Sequence, residues 1–157
     1  ILESARRIVK RYGVRGLIID PWNEIEHNQK QGQTETEYIS QCLGVIRRFA
    51  RAHGIHVWVV AHPTKLQKDK DGKYPVPTPY DVSGSSHWRN KADNCITIWR
   101  DMSDDEVREV EVHVQKVRFK VVGRVGLATL TYNRATGQYR DRPYSPDTYR
   151  RAAGGEA

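Results

Sequence analysis

The stretch Gly16-Leu17-Ile18-Ile19-Asp20, with its counterpart Ile55-His56-Val57-Trp58-Val59-Val60-Ala61-His62, decides the fold. Each is a short apolar run that stops on one polar residue, and runs of this length read as buried strands. Between them Tyr38, Ile39, Cys42, Leu43, Ile46, Phe49 and Ala50 recur at helical spacing, so the unit reads β-α-β. Such a crossover leaves its two strands parallel, with a right-handed connection. Asp20 and His62 then emerge side by side on the carboxyl edge of a parallel sheet, where open α/β folds place their ligands.

Outward from this unit, the pattern predicts a helix over 2–12, a strand over 15–20, a loop over 21–33, a helix over 34–53 and a strand over 55–61. Residues 63–80 hold Pro63, Pro75, Pro77, Pro79 and the charged run Lys68-Asp69-Lys70-Asp71-Gly72-Lys73, which neither helix nor sheet tolerates, so a long mobile loop is expected. A short helix ending at Ala92 comes next, then strands over 94–100, about 109–118 and about 127–132, closed by the turn Asn133-Arg134-Ala135-Thr136-Gly137. The order thus changes from crossover to meander. From Arg140 onward Arg, Pro, Gly and Ala dominate without apolar periodicity, and a disordered tail or linker is expected over 140–157.

The chain has 157 residues, one domain's worth, enough to bury roughly 68–70% of the unfolded surface. Its net charge of +7 favours a polyanionic partner, with nucleic acid the first choice. Cys42 and Cys95 sit in apolar periodic segments without CxxC spacing or a nearby His ligand set, and read as small core residues suited to a reducing compartment. With no apolar run of membrane-spanning length and no charged-then-apolar leader, a cytoplasmic location and no membrane contact are expected. The chain opens on Ile1-Leu2-Glu3-Ser4-Ala5 already in helical rhythm, as though a longer polypeptide had been entered partway.

Several residues could carry chemistry, each with a plainer alternative. Asp20, followed by Pro21, could hold Mg²⁺ on nucleotide phosphates, or simply cap a strand end. His62 could donate a hydrogen bond to a terminal phosphate, or be an exposed His at a loop entrance. His56 reads as structural, and Glu24 and Glu26 as loop carboxylates rather than a general base. Lys116 and Arg118 share a strand face with Val112 and Val114; they could neutralise the phosphates of a neighbouring subunit's nucleotide, or guard a strand end. The segment Asp81 to Asp93 offers small hydroxyls, backbone N–H groups and two cations suited to backbone phosphates, or is an ordinary short helix anchored by Trp88.

In order and spacing, these segments resemble the C-terminal part of the RecA-like motor of hexameric replicative helicases: the DnaB type, phage primase-helicases and Twinkle. The resemblance runs from Ile1 to Tyr139. Leu17-Ile18-Ile19-Asp20 resembles the Walker B strand, which implies that Asp20 assists Mg²⁺. Val59-Val60-Ala61-His62 resembles the following motif, whose last residue senses the γ-phosphate; His there points to the phage-like branch. Asp81 to Asp93 is similar to the motif with a DNA-contacting central loop, which makes Gly84, Ser85, Arg89 and Lys91 candidate contacts, although Ser83 stands where phage relatives carry a cation. Lys116-Val117-Arg118, Gly123, Gly126, Leu130-Thr131-Tyr132-Asn133 and Thr136-Gly137 look like the closing block, whose Lys and Arg reach the adjacent protomer's nucleotide.

The resemblance implies an α/β, RecA-like P-loop NTPase core, here partial, with a parallel sheet and C-terminal antiparallel strands. Its implied function is that of an ATP- and Mg²⁺-dependent DNA helicase that moves on single-stranded DNA as a hexamer in replication. The alternative is a non-catalytic RecA-like module that binds nucleic acid or assembles with partners. No GxxxxGK[ST] occurs, and the Gly72-Lys73 pair lies in the proline-rich loop, so the phosphate-cradling loop is expected upstream of Ile1 and this chain alone is expected to be inactive.

Overall fold

The computed structural model describes residues 1–70, 72–82, 86–102 and 107–141. They fall into two compact units, Ile1–Thr64 with Val82–Ala92 and Lys65–Asp81 with the residues from Asp93 onward. The first unit is therefore built from two separate pieces of chain.

In the first unit, helix α1 (Leu2–Tyr12) ends at Gly13, whose φ of 64° belongs to the left-handed region that glycine enters without a Cβ penalty. Strand β1 (Gly16–Ile19) comes next, then a 3-10 turn at Trp22–Glu24. Helix α2 (Glu35–His53) starts at a capping box: the Thr34 hydroxyl accepts from the Glu37 N–H at 3.3 Å, and the Glu37 carboxylate accepts from the Thr34 N–H at 3.0 Å. These backbone and hydroxyl bonds from Thr34 hold the Glu37 carboxyl below its ordinary pKa. Strand β2 (His56–Val59) runs parallel to β1, with Leu17 opposite Val57 and Ile19 opposite Val59. After the proline-rich stretch, the short helix α3 (His87–Lys91) returns to this unit.

The α2 crossover buries one face of β1 and β2. One cluster joins Ala5, Phe49 and Ile55 to Leu17 and Val57; a second joins Trp22, Ile39 and Trp88 to Ile46 and Val59. The opposite face departs from the expectation of strands buried throughout: Ile18 is 68% and Trp58 50% exposed. His56 lies on that open face, its ring 4.6 Å from the Trp58 ring, rather than among core side chains. Ile39, 2% exposed, is the tightest point of the second cluster. Ile39→Ala is expected to cost about 2–5 kcal/mol through lost transfer energy and the cavity left behind. Urea unfolding reads this as a lower midpoint at unchanged slope; an unshifted midpoint would mean that Ile39 does not pack as described.

The second unit is an antiparallel meander of β3 (Asn94–Trp99), β4 (Glu109–Val117), β5 (Gly126–Asn133) and β6 (Gln138–Asp141) in that order. The expected turn forms, with Asn133 Oδ1 accepting from the Ala135 and Thr136 N–H groups at 2.9 and 3.2 Å. No sequence pattern announces the strand after it. All four β6 residues are exposed, so no alternation marks it; its pairing with β5 and the 5.0 Å contact between the Tyr132 and Tyr139 rings hold it in place. Regular structure thus reaches Asp141, beyond the boundary expected at Tyr139, and 142–157, where a tail or linker is expected, lie outside the described residues.

Among the described residues of 65–81 there is no helix or strand, as their prolines require. The end of the stretch is nevertheless tied to the meander. Pro77 O accepts from Gln115 Nε2 at 2.8 Å and lies 3.1 Å from Thr97 Oγ1.

Candidate functional site

The parallel register sets the geometry of the edge that carries Asp20 and His62. With Ile19 opposite Val59 and the Val60 N–H donating to Ile19 O at 2.9 Å, Asp20 leaves its strand abreast of the residues that lead to His62. Both are exposed. Two further bonds hold the edge together: the Trp22 N–H donates to Val60 O at 2.7 Å, and the His62 N–H donates to Asn23 Oδ1 at 3.2 Å. The turn after Asp20 is thereby stitched to the strand end that carries His62. The sequence pairs Asp20 with His62 but does not single out Trp22 and Asn23. Their signal is weak, an aromatic and an amide directly after a strand-ending Asp-Pro.

Asp20 offers a hard oxygen donor at an open strand edge. Mg²⁺ is commonly held by one or two carboxylates together with substrate phosphates and waters, so a single exposed carboxylate suits it. Among the described residues no group of three or more His, Cys, Asp or Glu side chains forms a closed cage. The donor set, one open carboxylate, fits a Mg²⁺ ion that takes its remaining ligands from water or from a bound molecule.

Lys116 and Arg118 belong to the second unit. Lys116 pairs with Cys95, and Val114 with Ile96, so Gln115 is an extra residue in β4. This bulge corrects the single face expected for Val112, Val114, Lys116 and Arg118, because an inserted residue breaks the period-two alternation and re-aims the side chains beyond it. Arg118 is gripped by Asp93: its N–H donates to Asp93 O at 2.8 Å, and its Nε lies 2.6 Å from Asp93 Oδ1.

Of the DNA-contact candidates, Arg89 and Lys91 lie on α3, whereas Gly84 and Ser85 lie outside the described residues. Lys91 Nζ donates to Ser40 O on α2 at 2.6 Å. Trp88, 8% exposed, packs edge-to-face on Trp22 with ring centroids 5.2 Å apart, so it serves as a packing anchor. Tyr38, whose hydroxyl lies 3.3 Å from His27 Nδ1, lines an open apolar cleft of about 250 Å³ with Ile19, Trp22 and Cys42. Burial first, then the Cys42 thiol, pushes the Tyr38 pKa up.

No protein-family model matches the chain. It is 48% identical over 148 residues, 93% of its length, to the Twinkle homolog protein, chloroplastic/mitochondrial, of Arabidopsis thaliana, and spans 20% of that relative. A solved DnaB-like replicative helicase, described with its interactions with primase, superposes with a TM-score of 0.69 over 90% of this chain and 35% of its own; at 22% identity this likeness speaks for the fold. The mixed parallel and antiparallel architecture is the RecA-like fold of that structure, partially covered.

Proposed function

We propose, from the premise that this chain is homologous to a Twinkle-type protein and shares the fold of a DnaB-like replicative helicase, that it is one part of an ATP-dependent DNA helicase motor. The observation that supports this best is the joint exit of Asp20 and His62 from paired parallel strands. In the proposed motor Asp20 helps to hold Mg²⁺ and His62 reads the terminal phosphate of ATP. Mg²⁺ held there would supply neutralisation of phosphate charge.

Lys116 and Arg118 would serve the nucleotide of an adjacent protomer in a ring, proposed to be a hexamer. Arg118 would then exchange Asp93 for phosphate oxygens. Gly84, Ser85, Arg89 and Lys91 would meet the backbone of single-stranded DNA, Lys91 with the ammonium donors that its bond to Ser40 O leaves over. Phosphate contacts of this kind position the strand without reading its sequence. Among the described residues no helix is long and apolar enough to cross a membrane. A cytoplasmic location is one proposal; an organellar one comes from the name of the relative.

The chain itself contains no GxxxxGK[ST], so purified 157-residue protein is expected to show no ATP turnover while binding single-stranded DNA with an affinity that falls steeply as salt rises. Turnover by this chain, abolished by Asp20→Ala, would overturn the division of labour. Salt-dependent DNA binding by a longer parent protein that never hydrolyses ATP would replace the motor with a non-catalytic binding module, which the net charge of +7 also suits.

A further inference from the structure

We propose that Trp22 and Trp88 are positioning residues that couple the nucleotide edge to α3, so that the state of the nucleotide at Asp20 and His62 sets the pose of the helix carrying Arg89. The inference rests on the helicase reading above and adds the route by which its two ends communicate.

Trp22 stands two residues after Asp20, in a turn that cannot shift independently of His62. Its N–H is bonded to Val60 O at 2.7 Å, and the next residue, Asn23, accepts from the His62 N–H at 3.2 Å. A change in either Asp20 or His62 on exchange of ATP for ADP is therefore delivered to Trp22. The indole is 7% exposed and meets Trp88 edge-on at 5.2 Å and 88°. Close-packed interiors transmit displacement, because their side chains have little free volume in which to absorb it.

Trp88 lies between His87 and Arg89 on a helix of only five residues. The far end of that helix is tied to α2 by the 2.6 Å bond from Lys91 to Ser40 O. A push on Trp88 against this fixed end tilts the helix and moves Arg89. Ile39 packs in the same cluster but belongs to neither ring of the Trp22–Trp88 contact and neither of the bonds at the nucleotide edge.

The test uses the full-length parent polypeptide and equilibrium binding. The affinity for a single-stranded oligonucleotide is measured with a non-hydrolysable ATP analogue and with ADP, and the ratio of the two Kd values is compared between variants. Because coupling between binding sites is reciprocal, this ratio measures it directly. Trp22→Phe and Trp88→Phe should each bring the ratio toward one by about 2–30-fold, the range typical of residues along a coupling path. The double variant should be no worse than either single one, since both interrupt one contact. Ile39→Val should lower the melting midpoint and leave the ratio unchanged, which separates coupling from stability.

An unchanged ratio in the Trp variants, a multiplicative double variant, or an equal effect of Ile39→Val would overturn the inference while leaving the motor intact. A wild-type parent whose DNA affinity ignores the nucleotide, and which does not hydrolyse ATP, would overturn the motor reading and the inference with it.

Discussion

Asp20→Ala in the proposed full-length motor is expected to lower ATP turnover by about 10²–10³-fold or more if Asp20 organises the metal as proposed, because such a carboxylate supports several kcal/mol of transition-state charge stabilisation and each 1.36 kcal/mol is a decade in rate. The loss should fall on kcat. Folding should be spared: Asp20 is exposed, and the bonds that stitch the edge use the Ile19, Trp22 and Val60 backbone and the Asn23 amide. Single-stranded DNA binding without nucleotide should likewise persist. Initial-rate ATPase assays with a thermal melt of the same preparation decide the matter. A variant that melts like the wild type and turns over within a factor of about ten of it would remove Asp20 from the metal site.

The second large effect concerns Arg118. Arg118→Ala should cost about 10³–10⁵ in kcat if the guanidinium stabilises charge on a neighbour's phosphoryl group. The ion pair that it makes with Asp93 is partly exposed, at 30% and 42%, and pairs of that kind contribute about 0–1 kcal/mol, so stability should barely change. Mixing makes the test specific. If the parent assembles as the proposed ring, Asp20→Ala and Arg118→Ala rings should each turn ATP over poorly alone, yet mixed rings would contain interfaces that pair an intact Asp20 with an intact Arg118. Recovered turnover that peaks at intermediate mixing ratios is the expected result. If no ratio recovers activity although subunits are shown to exchange, Arg118 does not act across a subunit boundary.

The fold is largely legible in the chain because its core unit is written in local periodicity. The helical spacing from Tyr38 to Ala50 marks α2, and the apolar runs ending at Asp20 and His62 mark the parallel pair. The open face bearing Ile18 and Trp58 is not legible, since an apolar run looks the same whether one face or both are covered. Strand β6 escapes for the opposite reason: with all four residues exposed, its pairing comes from the hairpin rather than from a pattern. The bulge at Gln115 also escapes, because register belongs to two strands at once and Gln115 carries no sign of it.

Of the candidate site residues, Asp20 and His62 in the first unit and Lys116 and Arg118 in the second stand out in the sequence as polar residues at the ends of apolar runs. Their holders do not. Asn23, Asp93 and Ser40 act through bonds to His62, Arg118 and Lys91, across separations that no local spacing encodes.

The divided first unit bears on how this protein can be taken apart. Its chain leaves at Thr64 and returns only for Val82–Ala92. A truncation after residue 64, inviting because it keeps both parallel strands and the helix between them, would discard Trp88 and lay bare the Trp22 and Ile39 surfaces that it covers. Sound dissection would instead retain the first piece and join Val82–Ala92 to it through a designed linker in place of 65–81. The isolated β-bridge between Pro63 and Val82 marks where such a linker would attach, since it already brings the two cut ends together.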